Sequence, residues 1–232
     1  EANAIAAQIG FGEQVVGARL RQVRRLTGHE SGFLKQNSPG PYKITLPGVM
    51  TRAAGWFRPG ITDKFYQSRA ELVDDLVAML QREIKALLEE GVSYIQLDSL
   101  WYVTRITDVN RRQQMIDSGI DPEKELDETI ATDNASLQEA SVSGVTVALH
   151  MCRGNNRSSW LAQGGYEAVA EKAFNSLNVD RFLPEYDTDR AGGFEPLRFM
   201  PKDKTVVLGL ISSKEPGLES QDELLRRIEE AS

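Results

Sequence analysis

The chain has 232 residues, which at ~150 residues per domain makes one large domain or two small ones. Its 27 Lys and Arg against 34 Asp and Glu give a net charge of −7 and a pI of ≈ 5.1. That balance argues against a nucleic-acid partner held by phosphate neutralisation, which needs a basic face. Apolar residues at 41% and charged residues at 26% exclude wholesale disorder. The one cysteine, Cys152, excludes an intrachain disulfide and fits a reducing compartment. No apolar run approaches the ~18 residues of a membrane span. The opening residues lack a basic n-region and do not read as a signal peptide. A cytoplasmic location is expected.

In chain order, Val15–Leu20 and Tyr42–Leu46 read as strands. Ser68-Arg-Ala-Glu71 is a capping box, in which the Ser hydroxyl and the Glu carboxylate each satisfy a free backbone N–H. The helix it opens carries Leu72, Val73, Leu76, Val77, Leu80, Ile84, Leu87 and Leu88 as one apolar stripe. Gly91 is its expected cap, and the strand Val92–Leu97 follows, ending in Asp98. Asp121-Pro122 opens a second helix over roughly 121–141, broken by Gly144. Val145–Leu149 is the next strand, ending in His150. A helix over about 165–176 leads to a strand at 181–184 that ends in Glu185. Val206–Ile211 is a further strand, followed by Ser212-Ser213-Lys214. Ser220-Gln-Asp-Glu223 caps a final helix.

Alternating strands and helices require crossovers and a parallel sheet. Neither a Gly-x-Gly-x-x-Gly fingerprint nor a Walker-type loop is present. The remaining common architecture is an α/β fold of the TIM type, a (β/α)8 barrel of ~250 residues with its active site at the C-terminal ends of the strands. Asp98, His150, Cys152, Glu185 and Lys214 all fall at or just beyond such ends.

The chemistry of these residues can be read one motif at a time. In His150-Met151-Cys152 two residues of extended chain point the imidazole and the thiol to one face, where they can converge on a metal such as zinc. A buried Cys beside a hydrogen-bonded His satisfies the same spacing. Glu185 could complete a metal site, bind a substrate amine, or be one more acid in a loop that also holds Asp187 and Asp189. Asp98 directly follows an apolar strand, which is costly unless it is paired and suits a substrate ammonium; a loop or capping role fits equally. Arg153-Gly154-Asn155, Arg157 and Arg190 offer groups for an anionic substrate tail, with Gly154 permitting a tight turn. Phe194–Arg198 reads as a loop that packs. Trp56, Trp101 and Trp160 are core residues or stacking surfaces, and His29 carries no signal.

Together, Tyr94-Ile-Gln-Leu-Asp98, His150-Met-Cys-Arg-Gly-Asn155, Glu185-Tyr-Asp187 with Arg190-Ala-Gly192, and Val206–Leu210 with Ser213-Lys214 resemble the catalytic domain of cobalamin-independent methionine synthase. The short single-domain relatives called methionine synthase II are the closer likeness, and epoxyalkane:coenzyme M transferase belongs to the same wider group. The resemblance runs from about residue 15 to the end. It implies a barrel with a catalytic zinc held by His150, Cys152 and Glu185, with a second Cys near the C-terminus in the family. It also implies methyl transfer from methyl-tetrahydrofolate to a thiol such as homocysteine, whose amino group Asp98 would bind. Arg153, Asn155 and Arg190 are the further substrate-binding candidates.

The sequence also departs from that pattern. Cys152 is the only Cys, Ser99-Leu100 follows Asp98 where methionine synthases have Glu-Pro, and Pro184 precedes Glu185 where the short relatives have Leu. The expectation is one catalytic domain over 1–232, a barrel lacking its first and last strands, with a homo-oligomer or a complementary segment completing it. Two other functions compete with methyl transfer: a zinc-dependent thiol transferase or lyase using another alkyl donor such as an epoxide, and a non-catalytic barrel remnant. No membrane and no nucleic-acid partner is expected.

Overall fold

A computed structural model describes residues 14–155, 158–159 and 161–232. Its centre is a five-stranded parallel sheet in sequential order: β1 (Lys43–Pro47), β2 (Tyr94–Asp98), β3 (Thr146–Met151), β4 (Arg181–Pro184) and β5 (Thr205–Val206). Among the described residues seven α-helices accompany it: α1 (Gly28–Asn37), α2 (Val49–Trp56), α3 (Arg69–Glu89), α4 (Val109–Asp117), α5 (Pro122–Ser141), α6 (Glu167–Ser176) and α7 (Gln221–Glu230). Helical chain follows every strand, so the expected α/β arrangement is observed, as an open arc of a TIM-type barrel.

The strand period of two divides each strand between two faces. Ile44 and Leu46, Ile95 and Leu97, Val147, Leu149 and Met151, and Phe182 are buried against Leu80, Ile84, Ile130, Leu137 and Phe174 of the helices. The alternate residues of β2 and β3 are Tyr94, Gln96 and Asp98 beside Thr146, Ala148 and His150, with Asp98 paired to His150 in register. Chemistry-bearing side chains therefore collect on the face turned away from the helices, at the strand ends. At ~25 cal/mol per Å² of apolar surface, it is the helix-facing set that holds the sheet and fixes this register, because a one-residue slip would reverse every side chain.

Sequence signals set the helix boundaries. Ser68 caps α3 by accepting from Glu71 N, while the Glu71 carboxylate reaches Gln67 N at 2.6 Å rather than the cap residue itself. Asp121 caps α5 with Pro122 in its first turn. Ser220 caps α7, but Glu223 pairs with Arg226 instead of closing the box. Gly91 and Gly144 take positive φ as terminators.

Two expected strands differ. Residues 15–20 form no ladder. They are an irregular strap, tied by Val16 N to Trp56 O at 3.0 Å and Leu20 N to the Tyr66 hydroxyl at 2.8 Å, because Val16 packs in a small separate cluster with Tyr66 and Leu72. In the stretch 206–211 regular strand is limited to the end of β5, but pairing to β4 continues through Val207 N to Phe182 O at 2.8 Å and Gly209 N to Pro184 O at 3.0 Å, with a bridge from Gly209 to Glu185. Phe194–Arg198 packs as expected, Phe194 being buried at the start of a short 3-10 turn.

Candidate active site at the C-terminal ends of the strands

Asp98 ends β2, and its Oδ1 accepts the side-chain amide of Gln96 at 2.8 Å. Gln96 Oε1 in turn accepts Lys43 Nζ, from the neighbouring strand, at 2.6 Å. Inward positions of β1 and β2 thus form a chain ending on the carboxylate.

His150 stands next to Asp98 in register. Its Nδ1 lies 3.0 Å from Leu183 O. A carbonyl only accepts, so Nδ1 carries a proton, and in the neutral ring Nε2 is the nitrogen that keeps its lone pair. That is the tautomer a metal-binding or proton-accepting imidazole needs. Cys152 lies two residues on, half-buried. Burial first, then Glu185 and Asp98, push its thiol pKa up, with the Gly154 N–H and Lys214 pulling the other way. Gly154 has φ +80°, and a Cβ there would meet Leu161 Cδ1 at 2.8 Å, so the turn after Cys152 requires glycine.

Glu185 is buried and already partnered by cations. Its Oε1 accepts Arg190 Nη2 at 2.8 Å and Lys214 Nζ; its Oε2 accepts Arg153 N at 2.6 Å. Asp187 shares these partners, 3.2 Å from both Lys214 Nζ and Arg190 Nη2, and accepts Ser212 Oγ at 3.2 Å. Burial works to raise the Asp187 pKa, but Lys214 and Arg190 outweigh it and hold the carboxyl below its usual value. The result is a compact pair of carboxylates and pair of cations at the end of β4.

Arg153 and Arg190 are not placed as an anionic tail would need. The Arg153 side chain is fully buried. It donates to Gly164 O at 2.6 and 3.0 Å and to Glu185 O at 2.8 Å, and stacks 4.7 Å from the Tyr166 ring centre. It is a strut inside the β3–β4 loops. Arg190 spends its charge on Glu185 and Asp187. Asn155 is exposed and reaches Ser213 Oγ at 3.2 Å. Arg157 and Trp160 lie outside the described residues. Trp56 packs on the small cluster under the strap, Trp101 donates to Glu125 at 3.0 Å, and His29 is exposed on α1.

The sequence reading missed Tyr166. Its buried hydroxyl bonds Met151 O at 2.7 Å and accepts Glu185 N at 2.8 Å, tying the end of β3 to the end of β4. Nothing local in Gly165-Tyr166-Glu167 marks that role. Gln96 was detectable, as a polar residue at an inward position of an otherwise apolar strand.

The chain belongs to the family described as "Cobalamin-independent synthase, Catalytic domain", whose model matches residues 47–232. Among curated proteins it is 40% identical over 167 residues to YxjH of Bacillus subtilis (strain 168), named as uncharacterized, covering 72% of this chain and 44% of that one. To YxjG of the same organism, also uncharacterized, it is 37% identical, covering 82% and 50%. A methionine synthase of Pyrococcus abyssi is 24% identical, covering 82% and 45%. The chain therefore spans about half the length of the curated relatives it matches. A B12-independent methionine synthase from Shewanella sp. W3-18-1, solved with selenomethionine, shares the fold with a TM-score of 0.66 at 22% identity, covering 91% of this chain and 56% of that one.

Proposed function

We propose that this chain carries catalytic machinery for zinc-dependent transfer of a methyl group from methyl-tetrahydrofolate to a thiol such as homocysteine. The observation that carries this reading is the juxtaposition at the strand ends. His150 has its Nε2 left bare by the Nδ1 contact to Leu183 O, Cys152 follows two residues on, and Asp98 is in register beside His150. Family membership supplies the reaction class.

The donor chemistry fits zinc in part. A bare imidazole nitrogen and a thiol are the N/S mixture that zinc prefers. Glu185 fits as a third donor by giving up its ion pair with Lys214. Among the described residues no three His, Cys, Asp or Glu side chains are already arranged around one point. When bound, zinc would lower the pKa of a substrate thiol so that it is a thiolate at neutral pH.

The protein's own groups do the remaining work. Leu183 O fixes the His150 tautomer. Asp98, held by Gln96, offers a carboxylate to the amino group of the thiol substrate. The Glu185–Asp187–Arg190–Lys214 cluster sets the charge beside Cys152, and Tyr166 with Arg153 keeps that cluster fixed. Neither arginine is assigned to substrate here. Asn155 remains a candidate contact at the rim.

Assay of methyl transfer from methyl-tetrahydrofolate to homocysteine tests the reading. Transfer that His150→Ala and Cys152→Ala each abolish supports it. Consumption of an epoxide with a thiol, without methylation, would replace the donor. No turnover of either kind with zinc supplied would overturn the catalytic reading for this chain.

A further inference from the structure

Between β2 and α4 the chain makes one π-helical turn, Tyr102–Thr107. Such turns are rare and concentrate at functional sites. Arg105 in this turn is half-buried and lies over Trp101, with Cζ 5.0 Å from the ring centre. Its Nε is buried and meets no acceptor among the described residues. The charged groups that act on it are Arg111 and Arg69, which repel, and Glu125, which attracts. Glu125 is already taken: Arg69 grips both its oxygens, at 3.1 and 2.9 Å, and Trp101 Nε1 donates to it at 3.0 Å. Arg111 donates through Nη2 to Leu161 O at 3.0 Å. The nearby acid, Asp108, directs its two oxygens to the backbone N–H groups of Arg111 and Gln163 at 3.1 and 3.0 Å.

A guanidinium drawn out of water without a carboxylate is unfavourable by itself. An anion delivered from solution would offset that, and the planar fork of arginine matches the paired oxygens of carboxylates and phosphates. Burial and Arg111 lower the Arg105 pKa, consistent with an excess of local positive charge. The turn follows the C-terminal end of β2, the same end as Asp98, and both flanking strands, β1 and β3, are in place.

We propose that Arg105 and Arg111, with Trp101 as the platform beneath Arg105, form a binding site for an oxyanion, a carboxylate or phosphate group of a small molecule. The site is independent of the methyl-transfer reading, since none of its three residues belongs to the Asp98–His150–Cys152–Glu185 group.

Two-dimensional NMR of the full chain tests it. Inorganic phosphate and, separately, glutamate are titrated in while the Trp101 indole N–H and the arginine Nε–H signals are followed. A chloride series at matched ionic strength is the control. The expected result is a saturable millimolar-range shift of the Trp101 and Arg105 signals, whichever probe wins identifying the source of the oxyanion. Arg105→Gln and Arg111→Gln should each weaken binding about tenfold. Arg105→Lys, which keeps charge and loses the fork, should fall between, and carries the test if Arg105→Gln does not fold. Arg112→Gln, whose native residue pairs with Glu123 at 3.3 Å, should change nothing. No saturable shift with either probe, a shift that chloride reproduces, or equal binding in the Arg105 variants (an adventitious ion only) overturns the proposal.

Discussion

The side-chain amide of Gln96 donates to Asp98 Oδ1 at 2.8 Å from two residues back on the same strand. With Lys43 Nζ 2.6 Å from Gln96 Oε1, the Asp98 carboxylate is held in one orientation, and in the proposed reading it is the group that meets the amine of the thiol substrate. Hydrogen bonds to a charged group contribute about 1.5–3 kcal/mol. Gln96→Leu should therefore weaken binding of homocysteine about tenfold or more and leave a thiol lacking the amino group unchanged. Calorimetric titration with both thiols measures the difference; equal losses would mean that Gln96 does not act through Asp98.

Asp133, on α5, is fully buried, and its Oδ2 accepts the Tyr102 hydroxyl at 2.9 Å. Burial raises its pKa from 3.8 to about 7. The folded state thus holds the proton more tightly than the unfolded chain, and stability falls as pH rises through the window from 3.8 to about 7. Asp133→Asn should flatten that slope and raise Tm at pH 8, by about 2–4 °C for each kcal/mol recovered. Thermal melts of both proteins between pH 4 and pH 8 give the comparison, and parallel curves would count against a neutral buried Asp133.

Arg153 is a buried cation whose partners are mostly carbonyls. Removing one partner of a buried charge network costs about 3–5 kcal/mol. Arg153→Met should lower Tm by roughly 10 °C or more, and a loss confined to substrate affinity would instead return Arg153 to the binding face.

Lys214 and a metal would compete for Glu185 Oε1. Lys214→Met should weaken the metal-free fold and tighten zinc binding by about tenfold. Chelator competition reads the second effect directly; zinc binding unchanged by Lys214→Met would place Glu185 outside the metal site.

Much of this architecture was legible from residue patterns. The stripe from Leu72 to Leu88 and the caps at Ser68 and Asp121 fix α3 and α5 because capping and amphipathic burial are local physics. The strand-end acids and His150 were equally visible, as polar residues closing apolar runs. The strap at 15–20 differs from the expected strand because Val15-Val16 has strand composition, yet Val16 packs with Tyr66 and Leu72 and no strand lies beside it among the described residues. The roles of Arg153 and Tyr166 depend on where the β3–β4 loops fold back, a tertiary fact with no sequence period. An arginine beside candidate ligands reads as a substrate contact until its burial is known.

Zinc per chain, by elemental analysis of the purified protein and of His150→Ala and Cys152→Ala, tests the central claim most directly. The account predicts near-stoichiometric zinc that both substitutions remove. Zinc that persists in both variants, or none after reconstitution of the unaltered chain, would contradict a metal centre at the ends of β3 and β4.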